Sequence, residues 1–335
     1  MSRLEHALAR SALELPETGG LLAVAMPAEF GVTGLLDSRI KAVQGFRPTF
    51  DKLRAQGFDV VPTLDDAGSG FSTAHISAVR SRAATAYFIG QSARSVRPGG
   101  LILVDGAKTD GIEAHYRAVR ERVEVEGNIT KAHGRLFWFR AGGEFEDWAQ
   151  LDMSWPKVGR FRTAPGVFSA DAIDPASAAL AEALPLEMAG AGADLGAGWG
   201  FLAAALLKRP GVTWVDLVEA DHAALDAARS NVEDKRARFH WADVRQWRPD
   251  APLDWVVMNP PFHEGRAADP TLGQAFIEAA ARALAGHGSL WLVANRHLPY
   301  ETTLAERFRK WAEYKAPAGF KIIKADQPRK RAGRS

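Results

Sequence analysis

Asp194-Leu195-Gly196-Ala197-Gly198-Trp199-Gly200 lies between a short apolar run at 191–195 and the alanine- and leucine-rich stretch 200–208 (GFLAAALLK). Glycines at such a junction let the backbone turn sharply and approach a ligand closely, because no Cβ intervenes. The stretch reads as strand, glycine loop, helix, and the same rhythm continues outward. Val212–Glu219 reads as a strand, His222–Asn231 as a helix, Leu253–Met258 as a buried strand, 274–285 as a helix and 290–294 as a strand. Strands alternating with helices of this length specify a parallel, doubly wound α/β sheet.

A glycine loop alone is a weak signal, and the acids around it narrow it. Glu219 ends the next strand, about 20 residues beyond the last glycine, where a carboxylate can accept both ribose hydroxyls of a nucleoside. A dinucleotide loop wants G-x-G-x-x-G with the pyrophosphate on the helix N-terminus. Here Gly200 comes one residue early and Asp194 precedes the loop. A carboxylate there repels a pyrophosphate and attracts the ammonium or sulfonium of S-adenosylmethionine. The alternative for Asp194 is an acceptor for loop amides only. Asp243, in His240-Trp241-Ala242-Asp243, falls where the third strand should end. It either takes the adenine amino group or caps the turn before Arg245. Ligands of such sheets bind outside the carboxyl ends of the strands, so Asp194, Glu219 and Asp243 face one crevice.

Val256-Val257-Met258-Asn259-Pro260-Pro261-Phe262-His263 is the most specific segment in the chain. A buried strand runs into Asn259, and two prolines then fix the backbone without an N–H to donate. The Asn259 side-chain oxygen and the Pro260 carbonyl are left as acceptors for a planar NH2 group, and Phe262 can stack on a flat ring. The segment resembles the [DNS]-P-P-[YFW] motif of class I amino-methyltransferases.

The first half repeats part of this pattern. Strands are predicted at 21–26 and Asp59–Val61, and a helix at 49–56. Phe88-Ile89, Ala93-Arg94 and Gly100 recur without a gap as Phe276-Ile277, Ala281-Arg282 and Gly288, each copy reading as helix, glycine turn and apolar strand. Duplication explains the match better than two independent helix stops. The first copy lacks the acidic glycine loop and the Asn-Pro-Pro, and Gly31-Val32-Thr33-Gly34 is too sparse to replace them. The joint is placed in 142–166, rich in Gly and Pro, giving domains 1–148 and 149–335.

Composition excludes several classes. The 335 residues contain no cysteine, which removes disulfides, thiolate metal sites and cysteine nucleophiles. No apolar run approaches the ~20 residues of a membrane span, and the start lacks the apolar core of a signal peptide, so a cytoplasmic protein is expected. A net charge of +2 does not by itself announce nucleic acid, so any basic surface must be local. Two candidates are the tail (Lys321, Lys324, Arg329, Lys330, Arg331, Arg334) and Lys131, His133, Arg135 and Arg140 interleaved with Phe137, Trp138 and Phe139. A solvated terminus and core aromatics are the alternatives.

Three further blocks narrow the family: Pro165-Gly166-Val167-Phe168-Ser169 with Asp171, Asp174 and Ser177; Phe262-His263-Glu264-Gly265; and Val293-Ala294-Asn295-Arg296-His297-Leu298-Pro299-Tyr300. Over about 165–324 the chain resembles the RsmC/RlmG group of bacterial ribosomal RNA guanine-N2 methyltransferases. The resemblance implies two tandem Rossmann-like class I methyltransferase domains, the N-terminal one degenerate and serving RNA docking or structural support. It implies transfer from S-adenosylmethionine to the N2 amine of a guanosine in ribosomal RNA, 16S in preference to 23S, by a monomer using no metal. Asn259 and Pro260 would be catalytic. Asp194, Gly196, Gly198, Gly200, Glu219, Asp243, Phe168 and Ser169 would hold the cofactor, and Pro261, Phe262 and His263 the base. For Phe168 and Ser169 simple packing, and for His263 a structural role, stay open. The competing acceptors are adenine N6 and a protein glutamine, and the non-enzyme alternative is an RNA-binding module.

Overall fold

The alternation is realised twice. The computed structural model describes residues 2–30, 39–261, 263–264, 267–268 and 270–329, and it divides into two compact units. Unit 1 comprises Met1–Trp155 with Ala164–Gly166, and unit 2 comprises Pro156–Thr163 with Val167–Ser335.

Unit 1 runs α1 (Arg3–Ala9), β1 (Leu21–Val24), β2 (Ile40–Val43), α2 (Arg47–Ala55), β3 (Asp59–Val61), β4 (Phe71–Ser77), α3 (Arg82–Ser95), β5 (Val96–Ala107), α4 (Ile112–Arg120), β6 (Gly127–Lys131), β7 (Gly134–Arg140), α5 (Glu146–Ala149) and α6 (Leu151–Ser154). Its sheet has the order β3-β2-β1-β4-β5-β7-β6, parallel except where β7 pairs with β5 and β6. Both faces are covered. Leu22, Ile76, Ile102 and Phe137 pack on one side and Ala23, Leu101, Leu103 and Leu136 on the other. Burial on both faces is why these strands read as continuous apolar runs.

Unit 2 runs α7 (Pro175–Ala183), β8 (Gly190–Leu195), α8 (Phe201–Leu206), β9 (Val212–Glu219), α9 (His222–Asn231), β10 (Ala237–Trp241), β11 (Leu253–Met258), a two-residue ladder β12 (His263–Glu264) with β13 (Ala267–Ala268), α10 (Pro270–Ala283), β14 (Leu284–Asn295), α11 (Glu301–Arg307), β15 (Phe308–Tyr314) and β16 (Phe320–Pro328). The sheet order is β10-β9-β8-β11-β14-β16-β15, the same sequence of ranks as in unit 1. The repeated Phe88 and Phe276 stand on α3 and α10, the helices leading into the fifth strand of each sheet. The parallel core that carries the site closes around Leu195, Met258, Phe276, Leu292 and Tyr300.

Helix starts follow side-chain chemistry. The Asp174 carboxylate accepts the Ser177 amide at the start of α7, whose first residue is Pro175. Asp221 accepts the Ala223 and Ala224 amides to open α9. Two expectations shift. The strand expected at 290–294 extends over Leu284–Asn295 because Leu284 pairs with Leu253 of β11 and antiparallel β16 pairs with Ser289 through Asn295. The basic tail is no frayed terminus over its first part. Lys321 and Lys324 lie in β16, and Lys321 is buried with its ammonium on Glu301 and on the Leu298 carbonyl 2.6 Å away. Lys330, Arg331 and Arg334 lie outside the described residues, as does 31–38. No helix of the described residues is long and apolar enough to cross a membrane.

Candidate active site

The carboxyl ends of β8, β9 and β11 carry the candidate residues. The chain leaves β8 through Gly196, Gly198 and Gly200, at φ of 75°, 53° and 87°. This left-handed region is open to glycine and unfavourable for most other residues, so all three are required by conformation. A Cβ on Gly198 would meet nothing within 4 Å, so that turn faces open space, whereas one on Gly200 would come within 3.0 Å of Val232. Gly200 therefore serves close packing against α9 and Gly198 serves the opening.

Asp194 is fully buried below this loop. One carboxylate oxygen accepts the Ala203 amide at 3.1 Å, and the other, Oδ1, has no partner among the described residues. Burial, with the neighbouring Glu219 carboxylate adding repulsion, raises the Asp194 carboxyl to about 7. The expected amide-acceptor role and the expected charged role thus divide between its two oxygens. An orphaned buried carboxylate oxygen beside a glycine cradle fits a cationic ligand group, because a buried acceptor without a partner is costly.

Glu219 also stands above its ordinary pKa, chiefly through burial. It accepts the Gly198 amide at 2.8 Å, Ala220 at 2.7 Å and Asp221 at 2.9 Å. Each carboxylate oxygen carries two acceptor sites, so Oε1 is filled by Ala220 and Asp221 and Oε2 keeps one site for a ribose hydroxyl. Asp243 is a different case. It is buried, accepts the Arg245 backbone amide at 2.9 Å, and forms an ion pair with that guanidinium at 2.8 Å. Of its two expected roles, the structure displays the turn cap.

Asn259 follows β11 directly. Its side-chain NH2 donates to the Asp174 carboxylate at 2.9 Å and to the Ser177 hydroxyl at 3.0 Å. Both amide protons are therefore taken, and Oδ1 is the atom left to accept. Pro260 is buried and Pro261 exposed. Phe262 lies outside the described residues, and His263 is described only as a backbone member of β12. Phe168 is 58% exposed, with its carbonyl held by the Trp199 indole N–H at 3.1 Å, and Ser169 adopts φ 55°. Trp199 packs with Phe161 and Phe201, and its own carbonyl accepts from Asn231 at 2.9 Å. Phe168 is thereby fastened to the glycine loop, a link with no pattern in the sequence because the partners lie about 30 residues apart.

Register gives unit 1 the same positions with different residues. Ala23 stands against β4 as Asp194 stands against β11. By the same alignment Ala25 takes the place of Gly196, Gln44 that of Glu219, and Ser77 that of Asn259. The Gln44 side-chain oxygen accepts the Phe46 amide at 2.9 Å, matching the bond from Asp221 to Glu219. Ala25 keeps φ 52° although it carries a Cβ. A left-handed alanine is strained by ~1–2 kcal/mol and glycine loosens the unfolded chain by ~0.4–1, so Ala25→Gly is expected to stabilise by about 0.5–1 kcal/mol. Chemical denaturation of the intact chain measures it, and a lowered midpoint overturns the assignment of strain.

The aromatic residues of the basic stretch in unit 1 are not exposed for stacking on bases. Phe137, Trp138 and Phe139 are core, Arg135 is bound to Glu113 and Arg140 to Glu126. Strand alternation over GRLFWFR carried no warning, since both faces of this strand are covered.

Residues 159–324 match the family model described as the Methyltransferase small domain. The structure matches that of the T. thermophilus 16S rRNA N2 methyltransferase RsmC, in complex with AdoMet and guanosine, with a TM-score of 0.78 and 26% identity, covering 94% of this chain and 90% of that one. The chain is an RsmC/RlmG-type methyltransferase. Among RsmC/RlmG relatives, the Shewanella pealeana ribosomal RNA small subunit methyltransferase C is 28% identical over 249 residues, 71% of this chain and 72% of that protein. The Ectopseudomonas mendocina ribosomal RNA large subunit methyltransferase G is 32% identical over 166 residues, 48% of this chain and 44% of that protein. The candidate site of this RsmC/RlmG-type chain thus combines a glycine loop and buried acids at the ends of β8 and β9 with an asparagine–proline turn after β11.

Proposed function

We propose that this chain transfers a methyl group from S-adenosylmethionine to the exocyclic N2 amine of a guanosine in ribosomal RNA, in 16S rather than 23S. The observation that carries it is the pairing of an unpartnered Asp194 oxygen with an Asn259 whose NH2 is already engaged. The first suits the ammonium of the cofactor, and the second presents an acceptor to an amine. The whole-length likeness to an RsmC whose structure holds AdoMet and guanosine supports that cofactor and that base.

The bound cofactor supplies an electrophilic methyl on a sulfonium. Asp194 Oδ1 takes its ammonium, Glu219 Oε2 a ribose hydroxyl, and Gly196, Gly198 and Gly200 let the backbone close on it. Phe168 and Ser169 border the cofactor, and Asp243 acts at the adenine end while holding Arg245. Asn259 Oδ1 and the Pro260 carbonyl accept the two N–H bonds of the amine. A guanine N2 lone pair is delocalised into the ring and is weakly nucleophilic. As the new C–N bond forms and the methyl–sulfur bond breaks to leave a neutral thioether, positive charge grows on nitrogen and its N–H groups become stronger donors, until one of their protons is released to water. The two acceptors therefore bind the transition state more tightly than the ground state. Pro261, Phe262 and His263 meet the base, which must leave its stack to reach this turn.

Unit 1 is read as a copy without chemistry. Neutral Ala23, Gln44 and Ser77 stand where the catalytic unit has Asp194, Glu219 and Asn259, which suits docking of RNA or support of the other unit. A cytoplasmic monomer completes the reading. The test is label transfer from methyl-labelled cofactor to free 16S RNA, free 23S RNA and each ribosomal subunit, followed by nucleoside digestion. Label in N2-methylguanosine of the small-subunit RNA is expected. Label in N6-methyladenosine or in protein overturns the base assignment, and label confined to the large-subunit RNA overturns the choice of 16S.

A further inference from the structure

Asn259 is not held by its own turn. Its NH2 reaches back to Asp174 at 2.9 Å and Ser177 at 3.0 Å, residues 85 and 82 positions earlier. The same Asp174 oxygen accepts the Ser177 amide at 2.7 Å as the N-cap of the nine-residue helix α7. From this geometry we infer that Asp174 and Ser177 are positioning residues for transfer, locking the Asn259 amide with its oxygen toward the acceptor amine. The inference rests on the reading that Asn259 accepts from that amine.

An unrestrained asparagine amide presents oxygen or NH2 with nearly equal ease, and half of those orientations aim a donor at a donor. Here a flip would set Oδ1 against a carboxylate oxygen at hydrogen-bond distance, where two acceptors repel. The carboxylate also polarises the amide. A charge-assisted bond to the nitrogen draws electron density toward Oδ1 and strengthens it as an acceptor. The helix fixes the carboxylate in turn, because the cap bond holds Asp174 at the start of α7. The chain thus couples the end of β11 to a helix start through one shared oxygen.

Asparagine caps helices as well as aspartate does, so Asp174→Asn keeps α7 while placing an amide where the charge was. Its turnover is expected to fall about 10- to 100-fold, with cofactor affinity and melting temperature near wild type. Asn259→Asp sets two carboxylates together, so it is expected to lose turnover and recover part of it as pH falls and the pair takes up one proton. In the double variant Asp174→Asn/Asn259→Asp the introduced amide turns its NH2 to the introduced carboxylate, whose second oxygen faces the acceptor amine. The amide thereby gives up the cap bond that the shared oxygen made, so the melting temperature of this variant is expected to fall while its turnover recovers. That turnover is expected to exceed either single variant by about tenfold or more. A purely structural role for Asp174 produces neither the exchange rescue nor the new pH dependence. Turnover of Asp174→Asn near wild type, or a double variant no better than the worse single one while folded and cofactor-binding, overturns the inference. Asn259→Ala assayed alongside separates the two readings. If it is inactive while Asp174→Asn is fully active, the positioning role alone fails; if it is fully active, the role of Asn259 fails and the pair with it.

Discussion

Asn259→Ala is expected to lower turnover by about 10²- to 10³-fold, the usual loss when one preorganised hydrogen-bonding partner of a developing charge is removed. The loss should fall on the chemical step. Asn259 lies beyond the glycine loop and shares no hydrogen bond with Asp194 or Glu219, so calorimetric cofactor affinity should hold. The truncation also frees the Asp174 carboxylate and the Ser177 hydroxyl. Both are half-buried and open to water, which limits the effect on stability. Single-turnover rates with saturating cofactor and RNA measure the step directly. Full activity in the variant removes Asn259 from the mechanism.

Asp194→Asn should move stability and cofactor affinity in opposite directions. The folded carboxyl stands at about 7 against an ordinary 3.8, so the native state binds more protons than the unfolded chain between those values. Stability from this group therefore falls as pH rises through that window, and the full penalty is present above about 7. The substitution removes the charge but buries an unpartnered N–H, so a net gain of about 1–3 kcal/mol is expected for the ligand-free protein at pH 8. At pH 5 the gain should largely vanish. Cofactor affinity should drop roughly 10- to 150-fold, the equivalent of one charge-assisted bond. The wild type should also lose affinity by about tenfold per pH unit as pH falls below about 7, a dependence the variant lacks. Thermal melts and calorimetry at two pH values read all of this. An unchanged affinity removes Asp194 from the cofactor site.

The parallel core was legible because its strands are bounded by loops that speak for themselves. Val212–Glu219, His222–Asn231 and Leu253–Met258 run as expected, since glycine, aspartate caps and prolines mark their ends. The antiparallel closing strands were not. The sequence of β15, FRKWAEY, has one buried residue and lies at a sheet edge, so it has no apolar alternation to read. Asp194 and Glu219, at the ends of apolar strands, and Asn259, directly after one, are the candidates that sequence alone singles out. Asp174 and Ser177 were visible only as part of a family block, because a helix cap and a catalytic support use the same residue types. Asp243 offered two roles to local reading, and the ion pair with Arg245 displays the nearer one.

The left-handed Ala25 has a consequence for ancestry. A backbone that bends at Ala25 as unit 2 bends at Gly196, next to a Gln44 that grips the Phe46 amide, repeats the shape of the glycine loop without its glycine and its acids. One chain therefore holds two castings of the same mould, one charged and one neutral. Restoring Asp, Gly and Glu at Ala23, Ala25 and Gln44 would ask how much of nucleoside recognition is scaffold and how much is three side chains.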